Sequence, residues 1–322
     1  MDTEEDLFAA ERTAPPIELS VLEAAALLAP IAGRGVVREV QLLEAGTTNT
    51  NYRVALGAPQ LHLRIHTSGT PSDAVRERAV LRHVGDTVPV PEVLGSCSYR
   101  DHPCTVLSWI SGSKPAATPA SARAIGATLA AIAEHRFEAP GRLAPDLSLA
   151  RRFASNADAL VGMVDWSVTD GRTGRRLGLE SSERLRRFVG EHIDLLAETE
   201  GTYGLVHGDY KPANLLMHDD GGQVNVAGVV DWEFASAGTP LQDVAVCLRH
   251  AAGPDDPFAA AFAQGFRAAG GALPGRWFRA ARLLDLRNLC GFLNGSARST
   301  PVTARVIARI RETIGQSTSQ TR

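Results

Sequence analysis

No stretch of this 322-residue chain stays apolar for the ~20 residues that a membrane crossing requires. The first residues, MDTEED, are acidic and polar where a secretory signal needs a basic start and an apolar stretch, so the sequence reads as a soluble cytoplasmic protein. Charge of one sign is lacking as well. The chain has 36 acidic and 33 basic side chains, and a formal charge of −3 sets up no long-range field that would recruit nucleic acid or an anionic membrane surface. Cysteine is scarce: Cys97, Cys104, Cys247 and Cys290 are scattered, with no C-x-x-C pair and no His at ligand spacing. That excludes a zinc site or a disulfide framework and leaves four mostly buried thiols. Repeats of 20–50 residues and low-complexity segments are absent too. What is present is 44% apolar and 21% charged residues, ordinary globular material long enough for one large domain or two lobes.

Residues 1–16 are expected to be disordered. IELSVLEAAALLAPIAG predicts a helix from about Ile17 that stops at Gly33. The period then changes. VVREVQLL, NYRVAL and LHLRIH are short β-branched and aliphatic runs separated by GTTNT and GAPQ, which suits an antiparallel meander. Thr70, Pro71 and Asp73 supply an N-cap, a first-turn proline and a capping acid for a helix ending near Gly85. Two strands, near 93–99 and 105–110, follow the extended VPVP linker. Beyond SGSKP the pattern turns helical, starting at Thr118-Pro119 and running to about Glu138, with further helices near 147–164, 181–199, 241–251, 256–269, 276–293 and 302–315. Strands are predicted near 204–206, 214–217 and 224–231. The economical summary is an α+β chain of two lobes: a small β-rich lobe over 17–110 and a larger, mainly helical lobe over 111–322.

The chemistry concentrates in LVHGDYKPANLLM and the following VAGVVDWEF. An apolar strand delivers His207-Gly208-Asp209, Asn214 comes five residues after that Asp, and a second β-like run ends in Asp231. Phosphoryl transfer to a hydroxyl asks little covalent help of a protein. It needs a carboxylate to orient the hydroxyl and accept its proton, and oxygen ligands that hold Mg²⁺ against the phosphates. Asp209 suits the first task, and Asn214 and Asp231 offer the hard oxygen ligands Mg²⁺ prefers. A phosphohydrolase built on His207 and Asp209 would need further His or Asp clusters that the sequence lacks.

H-G-D-x-x-x-x-N followed by D-W-E resembles the aminoglycoside phosphotransferase and choline kinase-like family, whose fold is similar to that of protein kinases. The resemblance covers roughly residues 36–250. It implies a bilobal kinase-like fold, with Asp209 as catalytic Asp, Asn214 and Asp231 as metal ligands, Asp243 in PLQDVAV buttressing the catalytic loop, and His207 holding that loop's shape. Lys211 stands where protein-serine kinases carry a Lys that reaches the transferred phosphate; an ammonium there would offset charge on the γ-phosphoryl oxygens, and a solvated loop Lys is the plain alternative. G-T-T-N-T-N-Y resembles the phosphate-covering turn, with Gly46, Thr47, Thr48, Asn49 and Asn51 as donors, although a hairpin turn would favour the same residues. Arg64 falls where kinases place the phosphate-binding Lys, with Glu77 thirteen residues on as its partner. A guanidinium can hold a phosphate and a carboxylate at once; a strand Arg paired to any acid is the other reading. TVLSWISGS would be the connector that meets adenine through the backbone of Ser108, Trp109 and Ile110, with Trp109 either flanking the base or serving the core.

For the acceptor, residues 276–322 hold nine Arg against two acids, Asp285 and Glu312. If that region faces the site, a neutral or anionic hydroxyl compound fits better than a polycationic aminoglycoside, and if it is a solvated face the hint vanishes. Asp165, Asp170 and Glu233 are the acidic candidates for acceptor contact. The function these residues imply is an ATP- or GTP- and Mg²⁺-dependent phosphotransferase acting on a hydroxyl of a small molecule, an antibiotic or a metabolite. The alternative is a catalytically impaired nucleotide-binding regulatory protein of the same fold. The expected partners are the nucleotide and the hydroxyl substrate, with no nucleic acid and no membrane, in a monomer or homodimer.

Overall fold

The computed structural model describes residues 15–33, 36–43, 49–57, 59–295 and 300–315. The expected disorder of residues 1–14 therefore lies outside the described residues, as do Gly46, Thr47 and Thr48; Pro15 and Pro16 belong to no helix or strand.

Helix α1 (Val21–Ala32) begins later than its apolar pattern predicts, because Ser20 and Glu23 close a reciprocal capping box there and Ile17–Leu19 stay outside it. The Tyr52 hydroxyl donates to the Ile17 carbonyl at 2.7 Å and pins that segment to the sheet. Strands β1 (Glu39–Leu43), β2 (Thr50–Ala55) and β3 (Gln60–Ile65) form the expected meander, and β4 (Val93–Tyr99) and β5 (His102–Ser108) complete an antiparallel sheet in the order β1-β2-β3-β5-β4. Between β3 and β4 runs α2 (Pro71–Val84), capped by Thr70 and Asp73 as the sequence predicts.

The C-terminal part contains α3 (Pro119–Ala133), β6 (Arg136–Phe137), β7 (Gly141–Leu143), β8 (Leu149–Arg152), α4 (Asn156–Thr169), α5 (Arg172–Leu177), α6 (Leu179–His192) and a 3₁₀ segment, Ile193–Thr199. Then come β9 (Tyr203–Val206), β10 (Leu215–Asp219), β11 (Val224–Val229), β12 (Ser236–Gly238), α7 (Leu241–Cys247), α8 (Pro257–Ala268), α9 (Trp277–Asn294) and α10 (Thr300–Gly315). The helix predicted over 147–164 is instead β8 followed by α4, because the chain first pairs with β7 and Ser155 then caps the helix. The three predicted strands divide: β9 enters a second sheet of order β6-β9-β12-β7-β8, while β10 and β11 form a separate hairpin. Helices α3 and α8 touch backbone to backbone through Gly126 and Gly265, where an added Cβ would come within 2.1 Å of Phe262 O and Arg123 O.

Two apolar cores result, but they do not divide at residue 110. The smaller runs from Leu19 to Val106 and seals the first sheet against α1. The larger contains the helical part and also takes Val80, Leu81 and Val84 of α2, with Val88 and Leu107. Helix α2 is thus anchored on the C-terminal core while its other face presents Glu77 to the first sheet. Among the described residues no helix is long and apolar enough to cross a membrane.

Candidate active site

His207 follows β9 directly, and its segment is held from three sides. Asp243, in the first turn of α7, accepts the N–H of His207 at 2.7 Å and of Gly208 at 2.8 Å. The His207 Nδ1 accepts the Asp209 N–H at 3.2 Å, so Nε2 carries the ring proton and donates to Val230 O at 3.0 Å. Burial holds the His207 pKa below its ordinary value, which keeps that neutral tautomer. Gly208 has φ +86°, and an added Cβ would stand 2.6 Å from Phe234 O, so only glycine fits the turn. Tyr210 is fully buried with its hydroxyl on Ile125 O of α3, and the wholly buried Trp232 lies against the His207 ring.

The hairpin then brings the polar residues together. Asn214 precedes β10 and Asp231 follows β11 by one residue; Val230 N–H donates to Asn214 O at 3.0 Å, placing the two ends side by side. The Asn214 amide nitrogen donates to both Asp209 O and Asp209 Oδ2 at 2.9 Å, which turns its amide oxygen away from that carboxylate. Lys211, one of only two lysines in the chain, sets Nζ 2.8 Å from Asp209 Oδ2. Asp231 sits at φ +71°, a conformation that non-glycine residues rarely adopt and that a tightly constrained site can hold.

Across the cleft, β3 delivers Arg64 with 6% of its surface exposed. Its guanidinium reaches Glu77 at 3.0 Å, Asp231 at 2.7 Å and Glu233 at 3.3 Å. Burial works against the Arg64 charge, and the three carboxylates outweigh it, raising its pKa above the ordinary guanidinium value. Burial also works to raise Asp231, and Arg64 overcomes it to leave that carboxyl below its usual range. Glu233 goes the other way: burial, with the Asp231 charge beside it, pushes it up to about 7. Asp243 is likewise pushed up to about 7 by burial, against the pull of its two N–H donors.

The other predicted residues are distributed unevenly. Asn49 donates to Glu233 at 3.0 Å and accepts the Thr67 N–H, so it joins this cluster. Asn51 lies within β2, not in a turn, and its amide oxygen meets His62. Ser108 N–H donates to Glu92 O and Trp109 N–H to Gln60 O, both within the first sheet's surroundings. Of the three connector residues, Ile110 keeps the N–H that no described residue accepts; its side chain packs over Gly228. Trp109 carries Arg53 over its ring at 5.2 Å. Glu233, one of the acids expected at the acceptor, contacts Arg64 and Asn49. Asp165 pairs with Arg186 on an exposed face of α4 and Asp170 ends that helix, and neither makes a contact with the Asp209 cluster. Sequence reasoning missed Arg76, whose guanidinium bonds Asp73 and the Glu233 carbonyl, tying α2 to the D-W-E segment. Among the described residues no three His, Cys, Asp or Glu side chains gather as a metal site. Asn214 and Asp231, at adjacent ends of the hairpin, bring an amide and a carboxylate, the kinds of oxygen donor that Mg²⁺ prefers alongside water and phosphate.

Residues 39–280 match the phosphotransferase enzyme family, APH. The chain belongs to that family. Its fold is shared with the aminoglycoside phosphotransferase APH(4)-Ia in a ternary complex with ADP and hygromycin B, at TM-score 0.66 and 18% identity over 91% of this chain and 98% of that one. A Thermobifida fusca YX-ER1 structure named for a fructosamine-3-kinase superposes at TM-score 0.67 with 18% identity over 92% and 100%. Among curated proteins, Acyl-CoA dehydrogenase family member 10 of Mus musculus is 27% identical over 227 residues, 66% of this chain and 20% of that protein. A protein named for the acyl-CoA dehydrogenase IBR3 of Arabidopsis thaliana is 40% identical over 63 residues, 20% of this chain and 7% of the plant protein. The APH-family chain thus spans a fifth or less of the curated relatives it matches.

Proposed function

We propose that this APH-family chain is a small-molecule kinase that moves the γ-phosphoryl group of ATP or GTP to a hydroxyl, with residues 17–110 as nucleotide lobe and 111–322 as catalytic and acceptor lobe. One observation carries the reading: the Asp209 carboxylate, the Asn214 amide and the Asp231 carboxylate share one cleft wall, facing a buried Arg on the opposite sheet. Asp209 orients the acceptor hydroxyl and takes its proton, with Lys211 beside it to offset charge on the departing phosphoryl oxygens. Asn214 and Asp231 are the residues that would hold Mg²⁺, and the ion would supply neutralisation of the triphosphate. Arg64, kept in place by Glu77, meets the phosphates through its forked donors. The Ile110 N–H is the connector donor available to adenine. His207 and Asp243 shape the loop without touching the reactants.

Two features bear on the acceptor. Asp165 pairs with Arg186 and Asp170 ends α4, so their contacts lend no support to an acidic acceptor contact there. The match to segments of proteins named as acyl-CoA dehydrogenases adds hydroxylated acyl compounds to the classes worth testing. The Arg64–Asp231 pair favours one alternative, a nucleotide-binding protein without turnover, because that contact ties up a metal ligand. Turnover separates the two. Purified protein with Mg²⁺ and ATP or GTP is screened for nucleotide consumption against aminoglycosides, macrolides, sugars, choline, homoserine and hydroxy acids, with Asp209→Asn as control. Transfer to at least one alcohol, reduced on the order of 10²-fold or more in the variant, supports the kinase; nucleotide binding with no transfer to any class supports the alternative.

A further inference from the structure

Three of the C-terminal arginines, Arg282, Arg287 and Arg309, are half-buried and turn toward α7 and the residues just after it, while Arg276, Arg279 and Arg311 are exposed. Arg249, just beyond α7, is 5% exposed and bound by Asp285 of α9 through contacts of 2.6, 2.9 and 3.1 Å. Its carbonyl accepts from both Arg282 of α9 and Arg309 of α10, and Arg282 also donates to Ala251 O. Five residues along α9, Arg287 donates to the Gln242 side chain. Arg309 keeps a half-exposed acid, Glu312, at 2.7 Å, whereas neither Arg282 nor Arg287 forms an ion pair among the described residues. Both residues are half-buried.

A cation withdrawn from water is costly unless an anion meets it, and two carbonyls at the end of a short helix offset only part of that cost. Burial and the neighbouring Arg309 charge lower the Arg282 pKa to about 10, and burial likewise lowers that of Arg287. A guanidinium has five N–H donors, and Arg282 gives two hydrogen bonds here. The cluster connects to the reaction centre through α7: Arg287 donates to Gln242, and the next residue, Asp243, accepts the His207 and Gly208 N–H groups just before Asp209.

We infer that Arg282, supported by Arg309 and Arg287, is the anion-binding end of the acceptor pocket, so that the acceptor is a hydroxyl compound bearing a carboxylate or a phosphate. The inference rests on the kinase reading and narrows its substrate class. Arg249 is the positioning residue, held by Asp285 so that its carbonyl draws Arg282 and Arg309 together. An aminoglycoside would meet repulsion here, and a neutral alcohol would leave the cationic excess unanswered.

The test uses the full chain saturated with Mg·ADP and compares glycerol, glycerate and glycerol 3-phosphate as probes in thermal-shift titrations at fixed ionic strength. The expected result is saturable stabilisation by one or both anions and none by glycerol, and which anion acts tells carboxylate from phosphate. Arg282→Gln should weaken that anion's apparent affinity about tenfold or more. Arg282→Lys should retain part, and Arg279→Gln, on the exposed face of the same helix, should change nothing. Arg309→Gln repeats the measurement should the first variant fold poorly. Equal responses to all three compounds, or an anion effect untouched in Arg282→Gln and Arg309→Gln, would overturn the inference. Transfer is read separately: phosphorylation of alcohols regardless of their charge leaves the kinase standing without this pocket, and anion binding with no transfer to any alcohol does the reverse.

Discussion

Arg64→Ala should damage the fold before it damages nucleotide binding, and the size of the effect follows from which of its partners are buried. Glu77 is 3% exposed and has the Arg64 guanidinium at 3.0 Å, so the variant strands a buried carboxylate. Removing one partner of such a pair costs about 3–5 kcal/mol. The Asp231 side chain is 32% exposed, so its share is discounted for solvent screening and the lower end applies. About 3 kcal/mol corresponds to a fall of about 6 °C or more in Tm at about 2 °C per kcal/mol. Thermal denaturation in EDTA reads the structural cost, and nucleotide titration of the still-folded variant reads the binding loss. Replacing both partners, Arg64→Met with Glu77→Leu, should recover most of the stability without the binding, because an apolar pair strands no charge. Arg64→Lys should retain part of the affinity. A Tm within about 1 °C of wild type in Arg64→Ala would refute the claim that Glu77 depends on this guanidinium.

Gly208→Ala should lower kcat more than stability, since its Cβ would press on Phe234 O and displace the Asp209 turn; unchanged turnover would show that the turn relaxes freely. Lys211→Ala should reduce kcat by about tenfold or more with little change in nucleotide KM, because the ammonium acts where charge develops; a loss confined to KM would make it a ground-state contact. The pH dependence has a definite sign. Asp243 is raised in the fold to about 7 from an ordinary carboxyl value, so its contribution is present at low pH and lost as pH rises through about 7. The stability difference between wild type and Asp243→Asn should therefore shrink from pH 5 to pH 8 in denaturant titrations, and a difference that grows with pH would mean the two N–H donors win over burial.

Much of this was legible because it is local. A capping threonine, a proline and an acid announced α2; alternating runs announced the meander; and fixed spacing placed Asp209, Asn214 and Asp231 before any coordinates. Capping also explains the shifts: Ser20 and Ser155 each decide where a helix starts, against an apolar pattern that runs past them. What escaped the sequence depends on pairings between distant segments. β12 is three residues long and owes its existence to β9 and β7 on either side. Glu233 carried a signal, an acid two positions beyond Asp231, yet its place beside Arg64 and Asn49 follows only once β11 has turned the chain toward the first sheet. The convergence of Arg282 and Arg309 was not legible because their common acceptor, the Arg249 carbonyl, is a backbone atom with no sequence signature.

The charges around Arg64 bear on how the proposed nucleotide and cation would enter together. Glu77, Asp209, Asp231 and Glu233 set four carboxyls against Arg64 and Lys211, while Arg76 is answered by Asp73. Arg64 is shared among three acids, and the excess shows in Glu233, which burial and Asp231 push to about 7. A triphosphate entering alone would add negative charge to a wall already short of positive charge. It would also compete with Asp231 for the same guanidinium. On the proposed reading, Asp231 and Asn214 would be the residues to hold a divalent cation, whose charge would answer the Asp231 carboxylate and free the Arg64 guanidinium for phosphate. Substituting Arg for Lys at position 64 fits this exchange: its fork can stay on Glu77 with one edge while the other passes from Asp231 to a phosphate, which a single ammonium could not do with the same geometry.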